Sequence, residues 1–127
     1  MGLDTNMKIL IVDDFSTMRK IIRNILSQLG FKNIIEADDG TTALEVLSKE
    51  KVDLIISDWN MPKMSGLDLL KAVRGNEATK DLPFIMVTAE AQKENILEAI
   101  KYKVSQYIVK PFTPETLKEK LEKVFGG

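Results

Sequence analysis

The chain has 127 residues, 44% of them hydrophobic and 29% charged, with a formal net charge of −1. That composition suits one globular domain with a real core, leaves no room for two, and excludes a disordered chain or one drawn to nucleic acid by its overall charge. Cysteine and histidine are both absent, which excludes disulfides, thiolate nucleophiles, Cys/His zinc sites and every Ser-His or Cys-His catalytic arrangement.

Residues 1–6, "MGLDTN", are polar and are expected to form a loose terminus ahead of a single domain over 7–127. "KILIV" (8–12) is a short apolar, β-branched run that stops at "DD". Residues 16–29 then place Met18, Ile21, Ile22, Ile25, Leu26 and Leu29 on one helical stripe, with Arg19, Lys20 and Arg23 off it and Gly30 as a stop. "NIIEA" (33–37) precedes a helix over 41–50, and "DLIIS" (53–57) precedes one over 65–74 with Gly75 after it. "GNEATKDLP" (75–83) is expected to be a solvent-exposed connection into "FIMVT" (84–88). A helix over 91–101, the strand "YIV" (107–109) and a helix over 114–125 complete the series, with Thr113 as N-cap and Pro114 at the first helical position. Short, fully apolar strands alternating five times with helices imply an α/β fold: a parallel sheet with right-handed crossovers and helices on both faces. No apolar run approaches a membrane span and no signal peptide is visible, so a cytoplasmic protein is expected.

Ligands of such sheets gather at the carboxyl ends of the strands. Asp13 and Asp14 stand there after the first strand, Asp58 after the third, Thr88 at the end of the fourth and Lys110 at the end of the fifth. Singly, each has an ordinary explanation as loop polarity, helix capping or a solvated lysine. Jointly they do not. Two carboxylates about 4 Å apart repel by roughly 4 kcal/mol at an effective dielectric near 20, so three in one cleft need a compensating cation. Lys110 supplies one charge. A hard divalent ion on oxygen ligands, with Mg²⁺ favoured, supplies the rest. An aspartate beside a divalent ion and an ammonium is well placed to accept a phosphoryl group.

"ILIVDDFSTMR", "ISDWNMPKMSGLDLL", "IMVTAEA" and "YIVKPFTPETLKEKL" resemble the receiver domain of two-component response regulators, and within that family the single-domain chemotaxis regulators. The resemblance covers about residues 7 to 125. It implies a single flavodoxin-like, doubly wound (βα)5 sheet in the order 2-1-3-4-5. It makes Asp58 the phosphoacceptor. Asp13, Asp14, Asp58 and the Asn60 backbone carbonyl become the Mg²⁺ ligands, with Asp13 acting largely through water. Lys110 and Thr88 become the groups on the phosphoryl oxygens, with a cis Lys110–Pro111 bond. Tyr107 becomes an aromatic switch moving with Thr88, and Ala89 leaves it room. Met61, Pro62 and Gly66 shape the loop, while Asn60 and Glu90 set the phosphoryl lifetime. The implied partners are a chemotaxis histidine kinase and the flagellar motor switch, reached through the face of helix four, strand five and helix five. A phosphatase is left open, no nucleic acid or membrane is involved, and a monomer is expected. With no output domain after residue 127, the signal is expected to leave by protein–protein binding.

One departure lies in "KYKVSQY". Chemotaxis regulators usually carry a small residue and a glycine where this chain has Tyr102 and Lys103. If Lys103 keeps a positive φ, about 1 kcal/mol is lost, and an exposed Tyr-Lys pair with one basic member is expected to border the output face. Within the receiver reading, the alternative is a stand-alone phosphorelay intermediate or phosphate sink. A small aspartate-nucleophile phosphatase is more distant, because such enzymes space their acids at i and i+2, where this chain has Phe15 after Asp13. A flavin carrier would need a phosphate-binding loop after the first strand, where "DDFST" places two anions.

Overall fold

The computed structural model describes residues 4–89 and 92–125. Ten elements alternate along the chain: β1 (Lys8–Val12), α1 (Ser16–Gln28), β2 (Asn33–Ala37), α2 (Gly40–Lys49), β3 (Leu54–Asp58), α3 (Gly66–Arg74), β4 (Phe84–Thr88), α4 (Lys93–Lys101), β5 (Gln106–Val109) and α5 (Pro114–Phe125). The strands form one parallel sheet in the order β2-β1-β3-β4-β5, so the order and class expected from the sequence hold.

Strand alternation splits the core into two layers. Ile9, Ile11, Ile56, Ile85, Val87 and Ile108 face α1 and α5, where Ile22, Ile25, Leu26, Leu117 and Leu121 meet them. Leu10, Val12, Ile55, Phe84 and Met86 face the other way, onto Ala43 of α2 and Leu69, Leu70 and Val73 of α3. Burial on both faces explains why the inner strands read as continuous apolar runs. β2 lies at an edge and leaves Glu36 exposed.

Helix ends follow the sequence closely. Ser65 caps α3 by accepting from Asp68 N, and Thr113 caps α5 by accepting from Thr116 N. Gly30, at φ +101°, ends α1. Residues 4–6 make a turn before β1, with Asn33 donating to the Asn6 carbonyl. The 75–83 connection is more structured than expected. Arg74 donates to the carbonyls of Lys80 and Leu82, and Thr79 to that of Val73. The 102–103 pair also differs from expectation. Tyr102 is half-buried against the second core layer, with the Lys71 ammonium 5.0 Å from its ring, so only Lys103 is exposed.

Candidate functional site

The register of the sheet builds the site. Val12 pairs with Ser57 and Asp58 with Val87, so the residue after β1, Asp13, falls beside Asp58 at the carboxyl edge. Thr88 pairs with Val109, which brings Lys110 to the same edge, and the Lys110 amide donates to the Thr88 carbonyl at 2.7 Å. The Lys110–Pro111 peptide is cis.

The Lys110 ammonium lies 3.1 Å from Asp58 Oδ1 and 3.8 Å from Asp13 Oδ2. Asp13 is 1% exposed. Its Oδ1 accepts the Phe15 amide at 2.9 Å, whereas its Oδ2 is buried with no hydrogen-bond partner among the described residues. Burial pushes the Asp13 carboxyl up to about 6 and the charges of Asp58 and Asp14 add to this, against the Phe15 amide and Lys110. Asp14 is exposed. One carboxylate oxygen from each of Asp13, Asp14 and Asp58 can be chosen so that all three lie within 4.8 Å of one another.

The loop after Asp58 is shaped by close packing. Trp59 donates its amide to the Val87 carbonyl, and Gly66 donates to the Trp59 carbonyl at 2.8 Å. A β-carbon on Gly66 would overlap the Asp58 carbonyl oxygen and lie 2.8 Å from Met86 Sδ, so this position requires glycine for close approach. Lys63 takes φ +66°, its ammonium lies 3.8 Å from Asp39 Oδ2, and Met64 packs over Gly40. The loop is thereby tied to the start of α2.

The remaining expected residues fall as follows. Thr88 is buried at the end of β4, on the same sheet face as Tyr107, which pairs with Met86 two residues earlier. Tyr107 is half-buried, with the Lys120 ammonium 5.4 Å from its ring. Asn60 is exposed at the rim. Glu90 lies outside the described residues. Two further residues that hold backbone in place, one at the site and one at the turn after α4, carry no signal in the sequence. Arg19 donates to the Asp13 carbonyl and to Glu36, and Arg74 donates to the Lys103 carbonyl. Both are long side chains reaching backbone oxygens, which no spacing rule encodes.

The carboxylate cluster fits a hard divalent cation. It offers only oxygen donors, and the bare, buried Asp13 Oδ2 is an acceptor that a cation would satisfy. Chemistry, not cavity size, locates the site: a depression of about 570 Å³ between the end of α2 and residues 77–83 lies at the opposite edge of the sheet.

The family model of the response regulator receiver domain matches residues 9–122. The chain belongs to this family. Chemotaxis protein CheY-3 of Vibrio cholerae is 60% identical over 97% of this chain and 95% of that protein. Chemotaxis protein CheY of Pseudomonas aeruginosa is 60% identical over 94% of this chain and 96% of its own length. Among solved structures, chemotaxis protein CheY4 of Vibrio cholerae superposes with a TM-score of 0.88 at 38% identity, covering 94% of this chain and 99% of that one. The receiver domain described here carries its acidic cluster at the expected edge of the sheet. Among the described residues no helix is long and apolar enough to cross a membrane.

Proposed function

We propose that this receiver domain, spanning residues 7–127, accepts a phosphoryl group on Asp58 from a chemotaxis histidine kinase and then binds the flagellar motor switch. The observation that carries the reading is the pairing at one carboxylate. The Lys110 ammonium sits 3.1 Å from Asp58 Oδ1, and the hydrogen-bond-free Asp13 Oδ2 lies alongside. The 60% identity to proteins named for chemotaxis supports the choice of pathway.

In the transfer, the P–N bond of a phosphohistidine breaks as a P–O bond forms to Asp58, and the leaving imidazole takes up a proton. Lys110 holds Asp58 in place and then neutralises a phosphoryl oxygen. Thr88 donates its hydroxyl to another, and Tyr107, on the same sheet face, turns inward as Thr88 moves. Asp13, Asp14, Asp58 and the Asn60 carbonyl would hold Mg²⁺, which would supply the remaining neutralisation of phosphoryl charge. Asn60 and Glu90, as the family resemblance implies, set the phosphoryl lifetime against hydrolysis. Phosphorylation biases a two-state equilibrium of the face formed by α4, β5 and α5.

The test is a titration with Mg²⁺ and acetyl phosphate, read by Trp59 fluorescence and by mass. Saturable phosphorylation that requires both, and that Asp58→Asn abolishes, is expected. A response surviving in Asp58→Asn overturns the assignment. A phosphorylation-dependent rise in affinity for a motor-switch peptide supports the output, and its absence favours a phosphate sink or relay intermediate.

A further inference from the structure

We propose that Arg19, held by Glu36, is a positioning residue that aims Asp14 by fixing the peptide between Asp13 and Asp14. The proposal rests on the metal-dependent reading above and deepens it.

The corner where the chain leaves β1 is held at three points. The Asp13 amide donates to the Ala37 carbonyl of β2 at 3.1 Å, and Asp13 Oδ1 accepts the Phe15 amide. The Asp13 carbonyl accepts from Arg19 Nη1 at 2.5 Å. That carbonyl shares a peptide plane with the Asp14 amide. A donor locked on the oxygen therefore fixes the rotation that places the Asp14 Cα and Cβ. The Phe15 amide on Asp13 Oδ1 closes the turn around the same peptide from within the loop, and Arg19 adds the one restraint that reaches it from α1. Among the described residues the Asp14 carboxylate itself accepts no hydrogen bond, and it is exposed, so its aim depends on its backbone. A ligand held only by its backbone is sensitive to whatever orients that backbone.

Arg19 is itself anchored. Its Nε donates to Glu36 Oε1 at 3.0 Å, while the other Glu36 oxygen accepts from Arg23 Nη1 at 2.8 Å. Glu36 stands on β2 opposite Ile11 of β1, one step before the strand end. The planar guanidinium presents one edge to the carboxylate and another nitrogen to the carbonyl. The Arg19 side chain is 18% exposed and that of Arg23 is 45% exposed. The two arginines thus share Glu36, but only Arg19 reaches the Asp13–Asp14 peptide. The bland alternative is a surface ion pair that merely joins α1 to β2.

The two readings predict opposite signs. Removing a cation near a carboxylate cluster tightens divalent binding by simple electrostatics. Losing the orientation of a ligand weakens it. The experiment is a Mg²⁺ titration of the full chain without phosphodonor, followed by Trp59 fluorescence. Arg19→Met is expected to weaken Mg²⁺ binding about tenfold, as loss of a group behind a metal ligand does. Arg19→Lys, which keeps one donor, recovers part of that loss, and Arg23→Met leaves affinity unchanged or tighter. Raising Mg²⁺ recovers most of the phosphorylation rate lost in Arg19→Met. If Arg19→Met folds poorly, Arg19→Lys carries the test: it keeps the positive charge but not the two-sided grip, so a loss of Mg²⁺ affinity there comes from orientation and not from charge. Mg²⁺ affinity equal to or tighter than wild type in folded Arg19→Met, or in Arg19→Lys where Arg19→Met does not fold, overturns the proposal while leaving the metal reading intact. A wild-type chain with no Mg²⁺ response overturns both.

Discussion

Asp13 and Asp39 are both almost covered from solvent, at 1% and 4% exposure, yet their acidities move in opposite directions. The Asp39 carboxyl is held down at about 2 by the Thr41 hydroxyl and the Thr42 amide, with Lys63 adding its charge. It is an N-cap under a thin cover of its own loop. Asp13 is pushed up to about 6 because it lies among the strands with other carboxylates as neighbours and one oxygen bare. Both are covered from solvent, but Asp13 lies deep among the strands and Asp39 only under its own loop. What separates them is depth together with how far the surrounding chain offsets the charge, and the deep carboxylate whose second oxygen accepts no hydrogen bond marks the site.

Metal gives the largest way to sharpen that contrast. At a hundredfold excess over its dissociation constant, Mg²⁺ should stabilise the wild-type domain by about 2.7 kcal/mol in urea unfolding. Asp13→Asn should lose most of this gain and Asp39→Asn should keep it. Equal loss in both variants would mean that the ion does not distinguish the two carboxylates. Without metal, Asp13→Asn should stabilise the domain at neutral pH by on the order of 1–2 kcal/mol, since the folded state no longer carries a desolvated charge. The pH dependence has a definite sign. The folded Asp13 pKa of about 6 lies above the ordinary 3.8, so its contribution is whole below 3.8 and is lost as pH rises through about 6. Metal-free wild type should therefore fall behind Asp13→Asn across that window, and Mg²⁺ should close the gap.

Asp39 runs the other way. Its folded pKa of about 2 lies below 3.8, so its contribution is present above 3.8 and is lost as pH falls toward 2. Asp39→Ala should lower the melting temperature by a few degrees near neutral pH, with the difference shrinking in acid. A variant that melts like wild type at neutral pH would remove Asp39 from the comparison.

The sequence made the frame of this contrast legible and hid its cause. Five apolar runs gave the strands, and the helical stripes gave the helices to within two residues at each end. Together they placed Asp13, Asp14, Asp58, Thr88 and Lys110 on one edge, because a parallel sheet leaves its strand ends no other place. That Asp13 would be bare and Asp39 satisfied was not legible. Both stand in "DD" pairs after a strand, and the distinction rests on which amides and hydroxyls the folded loops turn toward each carboxylate. Lys63 and Arg19 escaped for the same reason, since their partners lie 24 and 6 residues away and are set by loop conformation.

The smallest effect tests the same rule where the unfavourable element is backbone strain. α1 and α4 end with the same pair of hydrogen bonds. Gly30 and Phe31 donate to the Ser27 and Leu26 carbonyls, and Lys103 and Val104 to those of Ile100 and Ala99. This pattern places the residue after the C-cap in the left-handed region, at φ +101° for Gly30 and +63° for Lys103. Glycine adopts it freely, whereas a lysine costs about 1 kcal/mol. At α4 the turn is provided for from outside, because Arg74 grips the Lys103 carbonyl at 2.9 Å and the Leu82 carbonyl at 2.6 Å. Lys103→Gly should therefore relieve the strain while keeping the grip, and should gain only about 0.5 kcal/mol once the freer unfolded chain is counted. Gly30→Ala, with no such grip and Thr5 Cγ2 3.2 Å from the added carbon, should lose about 1 kcal/mol. Urea midpoints measure both. A Lys103→Gly variant less stable than wild type would show that the lysine side chain, rather than the Arg74 contact, holds this turn in its left-handed form after α4.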